Sequence, residues 1–411
     1  MRTPSYKKFG EPSAQAMNPC KKNMAMSKIP SVTIHPISHR QLAKGHAWVT
    51  EDSFTKRFPK KDFLIATNPQ GNPWVTLLHD PTHPKIKARV WKLSPHFNFL
   101  KELEERIALG IKKRSALNLN RENYYLSFAE ADDLPGLFIQ HLGSVILIQY
   151  EMLFWKHHLP LIETILKKHF HAKEYWTQFR QNSKSKESLA CYQGAFEKKS
   201  FILKEEDISY HLKLGLHYDF GLYTDMAAIR KKCEFLFKPD LEVLNLFSYT
   251  GAWSLFALKH QAKHVTSVDL SLEYMQWLEE NLKLNIFKGT HTSYVISAAD
   301  ALKRFSKEGK GFDLIICDPP SAFSDGKKIT SALSFYQKEF PSLFKLLKPQ
   351  GHLLLFLNTH HLSMEKFKKT ILDHKLKMSI KGDMALSDDC PFKKGFPEGN
   401  YLKGILLKKN S

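Results

Sequence analysis

From residue 241 onward, short apolar runs alternate with amphipathic stretches. The runs 241–247, 264–269, 294–298, 312–317 and 351–357 predict strands, and the stretches 251–260, 271–285, 300–307, 331–347 and 363–374 predict helices. In 271–285 Leu272, Met275, Leu278 and Leu282 recur on one face, the period of a helix packed along one side. Such alternation implies an α/β fold with a parallel sheet covered on both faces. Two later runs, 376–381 and 401–407, have no helix between them and are expected to pair antiparallel.

The first half of the chain has a different rhythm. Short β-like runs at 31–34, 47–50, 62–66, 73–78 and 87–91, broken by Pro and Gly, predict a small barrel. An amphipathic helix is expected over 97–118, with Leu100, Leu103, Ile107 and Ile111 on its apolar face. The turn signal Pro135-Gly136 lies within 128–139 and predicts a hairpin in which Glu130 and Asp132 read as solvated turn residues. A helix near 155–170 and a basic stretch with Lys184 and Lys186 follow. The expected division is a basic tail (1–28), a barrel (29–95), an α+β middle domain (96–208) and the α/β domain (209–411). The tail carries Lys7, Lys8, Lys21 and Lys22 without apolar periodicity and reads as mobile and able to touch RNA.

Composition adds a partner. Hydrophobic residues make up 43% of the chain, enough for cores throughout, while 61 Lys and Arg against 41 Asp and Glu leave a formal charge of +20. That excess favours a polyanion, nucleic acid above all. Cys20, Cys191, Cys233, Cys317 and Cys390 are scattered, which indicates neither a disulfide framework nor a zinc site and suits a reducing, cytoplasmic setting. No apolar run is long enough to span a bilayer, and the N-terminus lacks the apolar core of a signal peptide, so no membrane partner is expected.

Candidate chemistry gathers at the ends of the predicted strands. Val243 to Gly251 runs from a strand through Asn245, Phe247, Ser248, Tyr249 and Thr250 into a helix, and the next strand ends on Asp269, followed by Leu270. This is the carboxyl-edge crevice where open α/β sheets bind ligands, with Gly251 expected to let the backbone approach one. Asp269 is placed to accept hydrogen bonds from a ribose diol. The first two glycines of a dinucleotide fingerprint are missing, and with them the pyrophosphate cradle. A ribose site without that cradle suits S-adenosylmethionine. Asp300, with Ala301, is expected at the adenine ring, and Asp318, followed by Pro319-Pro320, over the same crevice.

Several segments resemble one family. Lys44-Gly45-His46-Ala47-Trp48-Val49 stands where a Gly-His-Pro-Trp-like motif occurs, and residues 128 to 139 are similar to a Glu-Ala-Asp-x-Leu-Pro-Gly-Leu signature. Phe220-Gly-Leu-Tyr-Thr-Asp225 with Arg230 is similar to Gly-Phe-Phe-Leu-Asp-Gln-Arg-x-x-Arg, with Ala227 in place of an arginine. Phe396-Pro-Glu-Gly-Asn-Tyr-Leu-Lys403 is similar to a Phe-Pro-Glu-x-x-Tyr-Leu-Lys ending. Over most of residues 35 to 411 the chain resembles the bacterial S-adenosylmethionine-dependent ribosomal RNA large-subunit methyltransferases of the PUA-containing type. The resemblance implies a PUA-like barrel, a Rossmann-like class I domain with a seven-stranded sheet, S-adenosylmethionine as cofactor and an RNA base as substrate. It adds Tyr223, Asp225 and Arg230 to the cofactor-binding candidates.

One departure bears on the reaction. Family members that make 5-methylcytosine carry a Ser-Cys-Ser-His-His-like motif, and Asn358 stands at the cysteine position here. Carbon 5 of cytosine is a poor nucleophile until a thiolate adds to carbon 6. Cys317 is expected to point into the core, and Cys390 is the remote substitute. Methylation of a nitrogen such as guanine N7 is therefore favoured, with Asp318 and Asn358 as the catalytic candidates. His360 and His361 lack a third metal ligand and read as structural or RNA-facing. The competing readings are 5-methylcytosine formation through another thiol, a small-molecule methyltransferase, and an inactive RNA-binding protein. The sequence leaves open whether the chain acts alone or as a homodimer.

Overall fold

Val243, Leu244 and Leu246 give the strand Glu242–Leu246 (β1) apolar side chains on both faces, and both faces are covered. Val243 enters a core shared with Val265, Leu314 and Leu354, whereas Leu244 and Leu246 join Val268, Ile315 and Leu355 on the other side. The computed structural model describes residues 29–180, 192–193, 199–324, 329–360 and 362–410. The expected tail 1–28, Cys20, Lys184, Lys186, Cys191 and His361 lie outside the described residues.

The other strands of this sheet are His264–Asp269 (β2), Thr290–Val295 (β3), Phe312–Cys317 (β4), Leu347–Asn358 (β5), Met378–Met384 (β6) and Leu402–Lys409 (β7). Their order is β3-β2-β1-β4-β5-β7-β6, so the expected seven-stranded sheet is present. β1 to β5 pair in parallel, and β7 inserts antiparallel between β5 and β6. Helices Ala252–Lys259 (α1), Leu272–Lys283 (α2), Ala298–Lys307 (α3), Ala332–Leu346 (α4) and Met364–Leu372 (α5) make the crossovers. The direction of winding switches between β1 and β4, which opens a crevice above their carboxyl ends.

Local expectations need correction, among them Leu100, which is exposed and not on the buried face of the helix Phe99–Ser115. The strand expected at 294–298 ends at Val295, because the Ser297 hydroxyl accepts the Asp300 N–H at 3.1 Å and opens α3. In α2 Leu272 is exposed, and the buried face is Met275, Trp277, Leu278 and Asn281.

The middle sheet is built from Asn123–Phe128, Leu137–Leu142, Val145–Tyr150 and Glu174–Phe179, with Tyr192–Gln193 at its edge. Helices Phe99–Ser115 and Leu159–His169 cover one face, while Leu142, Leu147 and Trp176 on the other join the core of the C-terminal sheet. A ladder of buried amides crosses that second face: Gln140 donates to Gln149, Gln149 to Gln178 at 2.6 Å, and Gln178 to the Tyr218 carbonyl at 2.7 Å. An antiparallel ribbon, Lys199–Glu205 with Ile208–Leu214, leads on to the C-terminal sheet. The N-terminal segment forms a five-stranded sheet from Ser31–Thr33, Trp48–Thr50, Phe63–Thr67, Pro73–His79 and Ile86–Lys92. It also holds the helix Pro36–Ala43, which the strand pattern did not predict; Pro36 sits in its first turn, where a missing N–H costs nothing. No described helix is long and apolar enough to cross a membrane.

Glu130 and Asp132 are buried junction residues, contrary to the solvated reading. Glu130 accepts hydrogen bonds from the Trp48 indole and the Arg89 guanidinium, each at 2.7 Å. Arg89, fully buried, also faces Glu151 at 3.1 Å and Asp80 at 3.5 Å. Asp132 takes both ends of the Arg114 guanidinium, at 2.7 and 2.5 Å, and the Phe128 N–H at 2.8 Å. Arg114 reaches on to the Asp389 carbonyl at 3.2 Å, and Arg121 meets the Asp389 carboxylate at 2.7 Å. The segment between β6 and β7 is thus gripped from the N-terminal side, with Glu398 on His46 at 3.2 Å and Phe396 against Trp48. Asp132→Ala would strip Arg114 of its carboxylate, and breaking a buried pair in this way costs about 3–5 kcal/mol. The thermal unfolding midpoint should fall by several degrees and fall less for Asp132→Asn; an unchanged midpoint would show that the pair contributes nothing.

Candidate active site

After β1 the chain makes a turn in which Phe247 (φ 57°), Tyr249 (φ 50°) and Gly251 (φ 89°) are all left-handed. Few side chains accept that conformation, so the turn depends on what surrounds it. The Ser248 N–H is held by the Val268 carbonyl at 3.0 Å, the Tyr249 N–H by an Asp269 oxygen at 2.9 Å, and the Thr250 carbonyl by the Asn281 amide at 2.9 Å. Gly221 closes the turn from the other side, donating its N–H to the Tyr249 hydroxyl at 3.0 Å. A Cβ on Gly251 would lie 2.5 Å from Leu278, so this glycine admits α2 rather than a ligand, contrary to expectation.

Above the turn lies a cavity of about 550 Å³, the size of a small-ligand site. Of the expected residues, Tyr223, Asp225, Arg230, Phe247, Ser248, Tyr249, Asp269, Leu270, Asp318 and Asn358 line it. Five others do not. Asn245 is buried in β1 and donates to Ser254 at 2.8 Å, Thr250 is buried with its hydroxyl on the Gly221 carbonyl, and Gly251 packs on Leu278. Asp300 caps α3 through Ser297 at 2.7 Å and points to solvent beside Lys303, and Ala301 is in the core. The residues at the place expected for Asp300 are Ser297, Ala298 and Ala299. The Ser-x-x-Asp capping pattern was the signal that could have found them.

The wall divides along the sheet. Towards β2 and β3, Asp269 accepts the Tyr249 and Ser271 N–H groups on separate oxygens, at 2.9 and 3.0 Å, leaving a lone pair on each for a diol. Burial raises its pKa above the usual carboxylate range, with those backbone donors opposing. Phe247, Leu270 and Phe323 supply apolar surface. The two cations in the described wall are ion-paired, Arg230 with Glu205 at 2.7 Å and Lys338 with Glu339 at 3.3 Å. Arg230 therefore stands in the wall with its guanidinium committed elsewhere. An adenosine that carries no phosphate fits this donor set.

Towards β4 and β5 stand Asp318, Asp225 and Asn358. No side-chain hydrogen bond reaches Asp318 among the described residues; burial above all, and then the charge of Asp225, push its pKa up to about 7, against the pull of Arg230. The Tyr336 hydroxyl lies 2.9 Å from the Cys317 carbonyl and 2.7 Å from that of Phe356, so one side chain ties together the strands that carry Asp318 and Asn358. Asn358 is exposed at the end of β5, one residue before Thr359, whose N–H binds the Tyr401 carbonyl at 2.9 Å. Tyr401, which the sequence reading used only as part of a motif, donates to Asp225. Among the described residues no thiol lines the cavity: Cys233, Cys317 and Cys390 are buried, and burial raises the pKa of each. No group of metal-binding side chains occurs among the described residues, and His360 contacts the Glu398 carbonyl at 2.7 Å.

Comparison with known proteins gives this geometry relatives. Residues 233–375 match the family described as Conserved hypothetical protein 95. The ribosomal RNA large subunit methyltransferase I of Pseudoalteromonas translucida is 27% identical over 390 residues, covering 90% of this chain and 96% of that protein. Its counterpart from Shewanella denitrificans is 28% identical, covering 92% and 98%. A solved structure from Streptococcus mutans, assigned as a SAM-dependent methyltransferase, superposes with a TM-score of 0.81 at 19% identity, over 92% of this chain and 100% of that one. Another, assigned as a methyltransferase and complexed with SAH, gives 0.82 at 19% identity over the same shares. With the sheet order, the carboxyl-edge crevice and a likeness running through nine-tenths of its length, the chain is similar to the ribosomal RNA large-subunit methyltransferases and has the fold of an S-adenosylmethionine-dependent methyltransferase.

Proposed function

We propose that the chain methylates a base nitrogen in large-subunit ribosomal RNA, guanine N7 being the acceptor that fits best. The observation that carries this reading is the acceptor half of the crevice: two carboxylates and an amide, Asp225, Asp318 and Asn358, with no thiol among the described residues that line it. S-adenosylmethionine supplies the methyl group when bound. Cytosine carbon 5 would need a thiolate to activate it. Guanine N7 already presents a lone pair, so holding it in line supplies most of the acceleration.

Methylation at N7 leaves a positive charge on the ring. A half-buried carboxylate facing that ring stabilises the charge as it develops, and the weak solvent screening of such a site strengthens the effect. Asp318 can also accept hydrogen bonds from guanine N–H groups, while the Asn358 amide can grip a base edge. A base in this crevice has to come from a single strand or be flipped out of a duplex. The formal charge of +20 supports an RNA substrate through phosphate contacts.

Nucleoside mass spectrometry on protein-free and partly assembled large-subunit RNA, after reaction with methyl-labelled S-adenosylmethionine, should find labelled 7-methylguanosine. Labelled 5-methylcytidine would sink the nitrogen reading. The methylation rate should rise with pH through about 7 as Asp318 ionises. Asp318→Asn should slow methylation about 100-fold, the scale of one lost electrostatic contact in a transition state. The same change should stabilise the fold at pH 8. A carboxyl whose folded pKa lies above its unfolded value costs stability once pH exceeds the unfolded value, and the cost is complete above the folded one. The melting temperature of Asp318→Asn should therefore exceed that of the native chain at pH 8 and match it below pH 4. An equal melting temperature at pH 8 would show that ionised Asp318 is not strained by its surroundings.

A further inference from the structure

We propose that Asp225 is a second carboxylate acting on the acceptor base beside Asp318, and that Tyr401 is the positioning residue that holds it there. This rests on the methyl-transfer reading above and assigns Asp225 to the substrate rather than to the cofactor. The short 3₁₀ turn Thr224–Met226 lies where the two halves of the crevice meet. Tyr223, just before it, turns towards the cofactor half: its hydroxyl donates to Asp219 at 3.1 Å and its ring lies 5.2 Å from that of Tyr249. Asp225, two residues on, turns the other way and accepts the Tyr401 hydroxyl.

Tyr401 immediately precedes β7 and stands behind the acceptor half, outside the cavity wall. Its carbonyl is held by the Thr359 N–H at 2.9 Å and by the Lys403 ammonium at 3.2 Å. Its ring stacks at 6.4 Å on Phe128 of the middle sheet and meets His360 at 5.6 Å. A ring set between Phe128 and His360 on an anchored backbone thus fixes where the Asp225 carboxylate sits, and Asn358 is anchored by the neighbouring backbone. Besides Tyr401, the titratable and charged groups that face Asp225 are Asp318 from the end of β4, Arg230 from the helix Ala227–Lys232, Asp389 and Cys390 from the segment between β6 and β7, and Tyr125 from the middle sheet. Asp269 is absent from that set. Asp225 and Asp318 repel each other, and Arg230, already paired with Glu205, offsets this only in part. Burial raises the Asp225 pKa, and the phenolic donor is the largest of the influences that favour its anion, ahead of Arg230 and its own backbone N–H. It therefore governs how readily both carboxylates are ionised when a base that becomes cationic lies against them.

Two variants pull the pH profile in opposite directions. Methylation of large-subunit RNA is followed from pH 5 to 9 at saturating S-adenosylmethionine, and cofactor affinity is measured separately by calorimetry. Tyr401→Phe keeps the ring and removes the donor, so the doubly ionised pair forms at higher pH and the acid limb should move up by about one unit, the scale of one hydrogen bond to a carboxylate. Asp225→Asn removes the like charge, so Asp318 ionises earlier and the limb should move down, while the plateau rate falls about tenfold for want of the second carboxylate. Cofactor affinity should stay within twofold in both. A limb that stays put in both variants, or a tenfold loss of cofactor affinity in Asp225→Asn, would overturn the proposal. Wild-type enzyme that labels no RNA at any pH would instead overturn the methyl-transfer reading and this proposal with it.

Discussion

The crevice depends on a turn that the chain would not adopt unaided. Phe247 and Tyr249 are both left-handed, a conformation that costs each about 1–2 kcal/mol. Neighbours on every side hold them there: the end of β2 through Val268 and Asp269, α2 through Asn281, and the linking segment through Gly221. The strain is useful because it brings Phe247, Ser248 and Tyr249 into the wall instead of letting the backbone run straight into α1. Asp269 has two tasks as a result. It pins the turn through Tyr249 and keeps its remaining lone pairs at the cavity, so the support of the site and its ligand-facing group are one side chain.

Electrostatics separates the two halves. Asp269 is surrounded by backbone donors and no facing charge, while Asp318 and Asp225 face each other with little to neutralise them. A neutral diol suits the first environment, and a group that gains positive charge suits the second. The Arg230–Glu205 pair stands beside the second and offsets its repulsion only in part. It anchors the helix Ala227–Lys232 to the ribbon that leads in from the middle sheet, and the Asn123 amide joins the same Glu205 at 2.7 Å.

Much of this was legible in the sequence. β2 and β4 have the bounds the sequence pattern predicted; β4, buried on both faces, reads as an apolar stretch broken only by Asp313, and β2 is marked by its β-branched Val265, Thr266 and Val268. Asp269 and Asp318 line the cavity for the related reason that the first ends its strand and the second directly follows its own. Local patterns failed where side chains from distant segments decide the outcome. Glu130 and Asp132 look like polar turn residues until Arg89 and Arg114 arrive from 41 and 18 residues away. Asp300 was misread because the cap of its helix competes for it: the Ser297 hydroxyl accepts its N–H and donates to its carboxylate, which keeps it at the helix start and away from the crevice. Tyr401 carries no local sign of its partner, since the two are 176 residues apart.

The place of β7 in the sheet has a consequence for how the protein is made. It is the last of the seven strands to be synthesised, yet it lies between β5 and β6, so β6 has no neighbour to pair with until β7 arrives. Domains tend to fold as they emerge from the ribosome. A nascent chain halted before β7 could close β1 to β5 and shape the cofactor half while lacking the phenol that meets Asp225. Translation order therefore delays the contact that fixes Asp225 until the sheet is closed, and an unfinished enzyme lacks a fully ordered site.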